Sequence, residues 1–258
     1  MSQMRRIDLN SDLGEGFGPW SMGDDAAMMD LATSANVACG GHAGDPETMF
    51  VTLSFAAQRG VVVGAHPGYA DREGFGRRVI PMSEGEIEHM VAAQVGALMG
   101  IGAVAGVPVR YVKPHGALGN LAADNRAVAD AIARAVRAIS PDLAMLAISG
   151  TELEPASEAA GLQVYSEIFA DRAYLDTGRL VPRARPGAMI EDHRVAADRL
   201  LNFLRTGLMP TLGGNFIPLR AHSICVHGDS PHAVALARAI RVQLAHEGVD
   251  WHPFLDVA

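Results

Sequence analysis

Tyr111-Val-Lys-Pro-His-Gly-Ala-Leu118 is a strand end that carries chemistry. Of 21 lysines and arginines together, Lys113 is the one lysine. An ammonium is a compact donor whose pKa responds to burial, whereas a guanidinium is a rigid planar fork that stays charged. A chain that uses arginine elsewhere but keeps an amine beside a histidine points to chemistry or close charge placement; the alternative is a surface lysine of no consequence. Pro114 fixes its own φ and restricts Lys113, so the pair is held in a defined presentation. The apolar residues before it read as a strand that stops here.

The same design repeats outward in both directions. Short β-type runs at Arg6–Leu9, Ala35–Ala38, Val61–Gly64, Arg110–Lys113, Leu143–Ile148, Gln163–Ile168 and Ser223–Val226 alternate with helix-type runs. Asp45 with Pro46 predicts the start of a helix reaching about Arg59, and Ser83 with Glu86 forms a capping-box pattern. Further helices are expected near Asp24–Thr33, over about Ala117–Ile139, Glu152–Ala160 and Asp192–Arg205, and after Pro231. Residues 175–190, rich in Pro, Gly and Arg, read as an ordered excursion. Seven βα units imply an α/β fold, a seven-stranded parallel (β/α) barrel, as one domain over residues 1–258. Asp12, His42, His66, Lys113 with His115, Glu167 with Asp171, and His227 with Asp229 each follow a strand. In a parallel barrel those groups converge on one face.

Composition narrows the function classes. Hydrophobic residues make up 49%, with 28 glycines and 5% aromatics, which suits an Ala/Val/Gly-rich α/β protein. A net charge of −8 and a pI near 5.6 argue against nucleic acid or an anionic membrane as partner. Cys39 and Cys225 lack metal-type spacing and read as reduced thiols of a cytoplasmic protein. Met1–Asn10 has no signal-type apolar run. Met90–Val109 carries no charge, and its length permits a membrane span, but it is expected to be a buried helix entering a Gly106-Val-Pro108 turn.

Three chemistries fit the strand-end residues. Asp12, His42 and His66 are ligand types on neighbouring strands and could hold a divalent metal; the alternative is a hydrogen-bonded polar barrel mouth. Asp12 or Glu15 could act as general base, with Lys113 and His115 as donors to a developing oxyanion, although Glu15 also suits a loop cap. Cys39 beside His42 could be a nucleophile, but a small buried cysteine is the commoner case. Arg72, Arg77, Arg78 and Arg172 lie in the same loops and suit a carboxylate or phosphate. No Gly-x-x-x-x-Gly-Lys-Ser/Thr loop exists, and Asp12-Leu-Gly-Glu-Gly-Phe-Gly18 lacks dinucleotide-fingerprint spacing.

Six segments in order resemble the LamB/YcsF family: Ile7–Glu15, Asn36–His42, Gly64–Gly68, Val112–Leu118, Phe169–Tyr174 and Ser223–Asp229. Ser11, where the family usually has Cys, and Gly119, where it often has Tyr, are small departures. The resemblance implies a barrel of the glycoside hydrolase/deacetylase type. It also implies ATP-dependent opening of 5-oxoproline to glutamate, shared with partner subunits B and C; the missing phosphate loop fits a division in which the partners handle ATP. The strand-end argument then assigns Asp12, Glu15, Lys113 and His115 to catalysis. It assigns His42, His66, Arg72, Glu167, Asp171, Arg172, His227 and Asp229 to substrate binding. A stand-alone metal-dependent amide hydrolase or deacetylase, or a non-catalytic substrate-binding role in the complex, are the competing readings.

Overall fold

The computed structural model describes residues 6–228 and 233–256, so Asp229 and the start of the helix at Pro231 lie outside the described residues. The first half runs β1 (Arg6–Leu13), α1 (Asp25–Met29), β2 (Ser34–Ala38), α2 (Pro46–Arg59), β3 (Val62–His66), α3 (Glu84–Ala105), β4 (Val109–Val112) and α4 (Gly116–Asp124). The second runs α5 (Arg126–Ile139), β5 (Ala144–Ile148), α6 (Leu153–Ala159), β6 (Val164–Phe169), α7 (His193–Thr206), β7 (Leu208–Pro210), β8 (Phe216–Pro218), β9 (Ser223–Cys225), α8 (Ala233–His246) and β10 (Asp250–Trp251). Strands β1 to β6 pair in parallel sequence, β9 pairs with β6, and β9 returns to β1. The result is the expected closed barrel of seven parallel strands.

Local signals explain most element boundaries. Asp45 accepts from the Thr48 amide and Pro46 opens α2, while Ser83 and Glu86 close both bonds of the capping box on α3. The helices expected over Ala117–Ile139 are α4 and α5, divided where Asn125 ends α4 and its side chain caps α5. Helix α1 is shorter than expected. Strand β10 extends the sheet beside the start of β1, and β7 with β8 forms a separate antiparallel pair. These pieces are two or three residues long, two of them end in proline, and they carry too little periodicity to be read from sequence.

Helix α3 corrects one expectation. It is long and apolar enough by length and composition to cross a membrane, with 33% of its most apolar window buried. It is buried on one face only, through Ile87, Val91, Gln94, Val95, Leu98 and Gly102. Its outward face consists largely of small residues, Ala93, Gly96, Ala97, Gly100 and Ala103, which expose little apolar area.

Strand alternation sorts the barrel's contents. Leu9, Val37, Val63, Met145 and Ile168 join the main core shared with the helices. Val62, Tyr111, Ala144 and Leu146 form a second cluster inside the barrel, plugged by Phe254 and Leu255. Tyr111 is fully buried and donates its hydroxyl to Asn36 Oδ1 at 2.7 Å. It fits because Gly64 faces it: a Cβ there would lie 2.2 Å from Tyr111 Cε2. Gly64→Ala should therefore cost about 3 kcal/mol in urea denaturation, with Gly64→Ala/Tyr111→Leu recovering part of the loss. Additive losses in the double variant would show that the ring is not the obstruction.

Candidate active site

At the C-terminal mouth of the barrel a cleft of about 500 Å³ is lined by Asp12, His66, Lys113, His115, Glu167 and His227, with Arg77, Arg172, Arg179 and Arg183 among its walls. Asp8, Asn10 and Asp12 alternate along β1 and all are buried, so one strand face delivers a polar ladder into the barrel. Lys113 leaves the end of β4 into the middle of that ladder. Its Nζ lies 2.9 Å from Asp12 Oδ1, 3.1 Å from Glu167 Oε2, 3.1 Å from Asn10 Oδ1 and 3.1 Å from Cys225 Sγ. An ammonium has three protons, and four partners surround it. The amine expected to reach a substrate oxygen is instead engaged by the protein.

Electrostatics divide the two carboxylates that Lys113 joins. Burial pushes Asp12 upward, but the charges of His66 and Lys113 overcome it and hold Asp12 well below the usual carboxylate range. Glu167 is raised, because burial and the negative charge of Asp12 outweigh the relief from Lys113. For Lys113 itself, burial disfavours the charge, yet Asp12 and Glu167 keep the amine protonated well above its ordinary range. Asn36 supports the ionised partner by donating to Asp12 Oδ1 at 2.8 Å.

Beside this centre lies a cluster of imidazoles. His42 and His115 stack with ring centroids 3.6 Å apart, and His66 stands edge-on to both. Glu15 Oε1 is 3.2 Å from His42 Nε2 and 3.7 Å from His115 Nδ1. His66 Nε2 is 3.5 Å from Asp12 Oδ2, which links the two centres. Burial pushes His42 and His115 well below the ordinary histidine range, aided by neighbouring ring charges. Glu15, His42, His66 and His115 are all buried, with ligand atoms within 4.8 Å of one another, and could hold a metal ion. The expected metal trio is thus divided: His42 and His66 join Glu15 and His115, whereas Asp12 groups with Cys225 and His227.

The remaining residues fall into two classes. Asp171 Oδ2 lies 2.8 Å from His227 Nδ1, and although burial raises it, His227, Arg183 and Arg172 hold it low. Arg172 is buried; burial and Arg183 push its guanidinium down to about 10 despite Asp171, and among the described residues its Nε has no hydrogen-bond partner. Arg72 is outside the cleft: it is exposed, lies over the Phe17 ring at 3.8 Å and donates to Gly40 O. Arg78 is tied to Asp71. Cys39 is buried, with its thiol pushed up to about 12, which suits core packing rather than attack.

Sequence reasoning missed Asn10, Asn36, Cys225 and Arg183. The first is legible in the alternation of Asp8, Asn10 and Asp12, whereas Arg183 reaches the cleft only through the folding of residues 175–190, pinned by bridges Arg172–Met189 and Tyr174–Leu180.

Residues 7–258 match the family model described as LamB/YcsF family. The chain belongs to the LamB/YcsF family. It is 49% identical over 252 residues to a protein from Rhodopseudomonas palustris (strain BisA53) named as the A subunit of 5-oxoprolinase, covering 97% of this chain and 99% of that one. It is also 50% identical over 249 residues to a protein of the same name from Nitrobacter hamburgensis, covering 96% and 98%. This LamB/YcsF chain is similar over almost its whole length to the crystal structure of a lactam utilization protein from Thermus thermophilus. The TM-score is 0.90 at 41% identity, covering 96% of this chain and 99% of that one. Likeness to a putative cellobiose-phosphate cleavage protein from Enterococcus faecalis V583 is one of fold alone, with a TM-score of 0.59 at 10% identity and 97% coverage of each chain.

The buried ion-pair centre generates a stability prediction. Lys113→Met leaves Asp12 and Glu167 without their cation and should cost about 3–5 kcal/mol at neutral pH in urea denaturation. Asp12 is depressed in the folded state, so its contribution is present above the unfolded carboxylate pKa and is lost as pH falls through the folded one. The gap between wild type and Lys113→Met should therefore narrow on acidification; a gap independent of pH would remove the ion pair as its cause.

Proposed function

We propose that this chain is the A subunit of an ATP-dependent 5-oxoprolinase, the component in which the lactam ring of 5-oxoproline is opened to glutamate. The observation that carries the reading is a pair of cleft carboxylates with opposite protonation tendencies around one lysine. Hydrolysis of an amide needs a base for water and an acid for the leaving nitrogen, and such an acid/base pair is recognised by environments that push two titratable groups apart. The names carried by the relatives and by the Thermus structure supply the substrate class.

Asp12, kept ionised by Lys113 and Asn36, orients the attacking water and accepts its proton. Glu167, the carboxyl biased toward its protonated form, delivers a proton to the ring nitrogen as the carbon–nitrogen bond breaks. Lys113 is a positioning residue that sets the charge of both. Phosphorylation of the lactam oxygen by ATP activates the carbon for the first water, and a second water releases phosphate. Arg172, whose Nε has no hydrogen-bond partner among the described residues, and Arg183 line the cleft and bind the carboxylate or phosphoryl oxygens of this substrate. His42 and His115 stack nearly parallel 3.6 Å apart and do not both aim a lone pair at one ion, so the chemistry is assigned to the two carboxylates and Lys113.

The nucleotide is assigned to partner subunits B and C, because this sequence carries no phosphate-cradling loop of its own. The reading sets the protein in the cytoplasm, where ATP is available and where Cys39 and Cys225 stay as free thiols.

The test is 5-oxoproline-dependent glutamate formation by the three reconstituted subunits, each omitted in turn. Glutamate should require this chain, and calorimetry on the chain alone should find no micromolar ATP binding. Asp12→Asn should lower the rate at least about a hundredfold. An acid must be protonated to act, so wild-type rate should fall on the alkaline side as Glu167 ionises. Glu167→Gln should be slow and lack that alkaline limb. Full turnover without this chain, or wild-type rates in Asp12→Asn, would overturn the assignment.

A further inference from the structure

The buried face of α7 carries an arginine that the chemistry above does not use. Arg199 shares that face with Ala196, Leu200 and Phe203, where an apolar side chain is expected. Its guanidinium turns to the loop that follows β6. Nη1 donates to Arg172 O at 2.7 Å, and Nη2 donates to Phe169 O at 2.5 Å and to Ala170 O at 3.0 Å. Three carbonyls of one turn converge on one fork. The fourth, Asp171 O, accepts from the Ile190 amide at 2.8 Å. The last bond to the neighbouring strand is made by the Ala170 amide, which donates to Cys225 O at 3.0 Å. Where the chain leaves the sheet, Arg199 takes over the pairing of its backbone.

Packing alone does not account for a charge in that position. A cation is costly to bury, and apolar residues of similar volume are often as stabilising or more so. The partners of this one are backbone oxygens, and its Nε has no hydrogen-bond partner among the described residues. What a guanidinium adds is a rigid planar fork that fixes the directions of the groups it holds. Here it holds the backbone on both sides of two buried site residues. Asp171 pairs with the cleft residue His227, and Arg172 lines the cleft. Arg172 Nη2 donates to Val181 O at 2.7 Å, while its Nε has no partner among the described residues. On the other side of the same turn the hydroxyl of Tyr174, fully buried, accepts from the Phe169 amide at 3.0 Å.

We propose that Arg199 is a positioning residue for anion recognition: through the carbonyls of Phe169, Ala170 and Arg172 it sets the direction in which the Arg172 guanidinium enters the cleft. The ligand class is a carboxylate or phosphoryl group, because a guanidinium fork matches two such oxygens. The inference rests on the reading that Arg172 binds such a group of the substrate. A lysine at 199 keeps the charge but not the fork, since an ammonium is a compact donor on a flexible stem. The turn then loses part of its support, and Arg172 must be ordered by the anion itself, at a cost in affinity. Asp12, Glu167 and Lys113 bond to one another and do not touch Arg199, so the chemical step is spared.

The experiment measures kcat and KM for 5-oxoproline in the reconstituted complex, and the Kd of inorganic phosphate, used as an anion probe, on the full chain alone. Arg199→Lys, shown folded by circular dichroism, should raise KM and the phosphate Kd about tenfold, with kcat within about twofold of wild type. Arg172→Met should raise both constants too. Adding Arg199→Lys to Arg172→Met should then change them by less than about twofold, because the two residues act through one guanidinium. Tyr174→Phe removes only the hydroxyl that supports the other side of the turn; it should raise KM in the same direction, and it carries the test if Arg199→Lys does not fold. Unchanged KM and phosphate Kd in folded Arg199→Lys overturn the proposal, as do equal losses with and without Arg172. A phosphate Kd that depends on Arg199, together with no glutamate formation by the wild-type complex, keeps this inference and discards the lactam reading.

Discussion

The site depends on one buried ammonium. Lys113 stands between Asp12 and Glu167 in a space where burial opposes every charge present. Removing such charges from water costs several kcal/mol per ion, which attraction recovers only when the geometry is close and the remaining donors and acceptors are paired. Here they are paired: Asn10 bridges Lys113, Glu167 and Ser223, while Asn36 joins Asn10 to Asp12 and receives the Tyr111 hydroxyl. Below them Asp8, pushed up to about 6 by burial, is held by Ser34 and Ser223 hydroxyls. The barrel interior, filled with branched apolar side chains in many parallel barrels, is here shared between the apolar cluster around Tyr111 and a polar column led by Asp8, Asn10 and Asp12. That column fixes the protonation state of the residues at its top.

Lysine is required in that position for reasons of shape as well as charge. Its ammonium reaches four partners near 3 Å in different directions. A planar guanidinium would present its donors in one plane and needs more volume. This accounts for lysine rather than arginine at position 113.

Much of this is legible in the residues alone. Parallel strands end on one face, so Asp12, His66, Lys113, Glu167 and His227 can be gathered from their positions after apolar runs. Which of them touch is not legible. Grouping by sequence puts Asp12 with His42 and His66, whereas the loop after β1 curls so that Glu15, three residues on, meets the imidazoles and Asp12 stays with Lys113. Arg72 shares the apparent promise of its loop, but lies over the Phe17 ring and donates to Gly40 O, outside the cleft. The contacts of His66 and His115 with the carbonyls of Lys113 and Phe75 are invisible as well, since the directions of those carbonyls belong to the backbone. Strand-end position is a property of sequence; partner choice is a property of loops.

Net charge illustrates the same separation of scales. The chain carries −8 overall, yet the cleft is walled by Arg77, Arg172, Arg179 and Arg183. Arg179 is paired with Asp124, and Arg172 donates to Val181 O. Charges in a concave, low-dielectric space act where field lines are concentrated, so they weigh more than distant acids screened by salt. An acidic protein can in this way repel polyanions from its surface and still draw a small anion into one mouth.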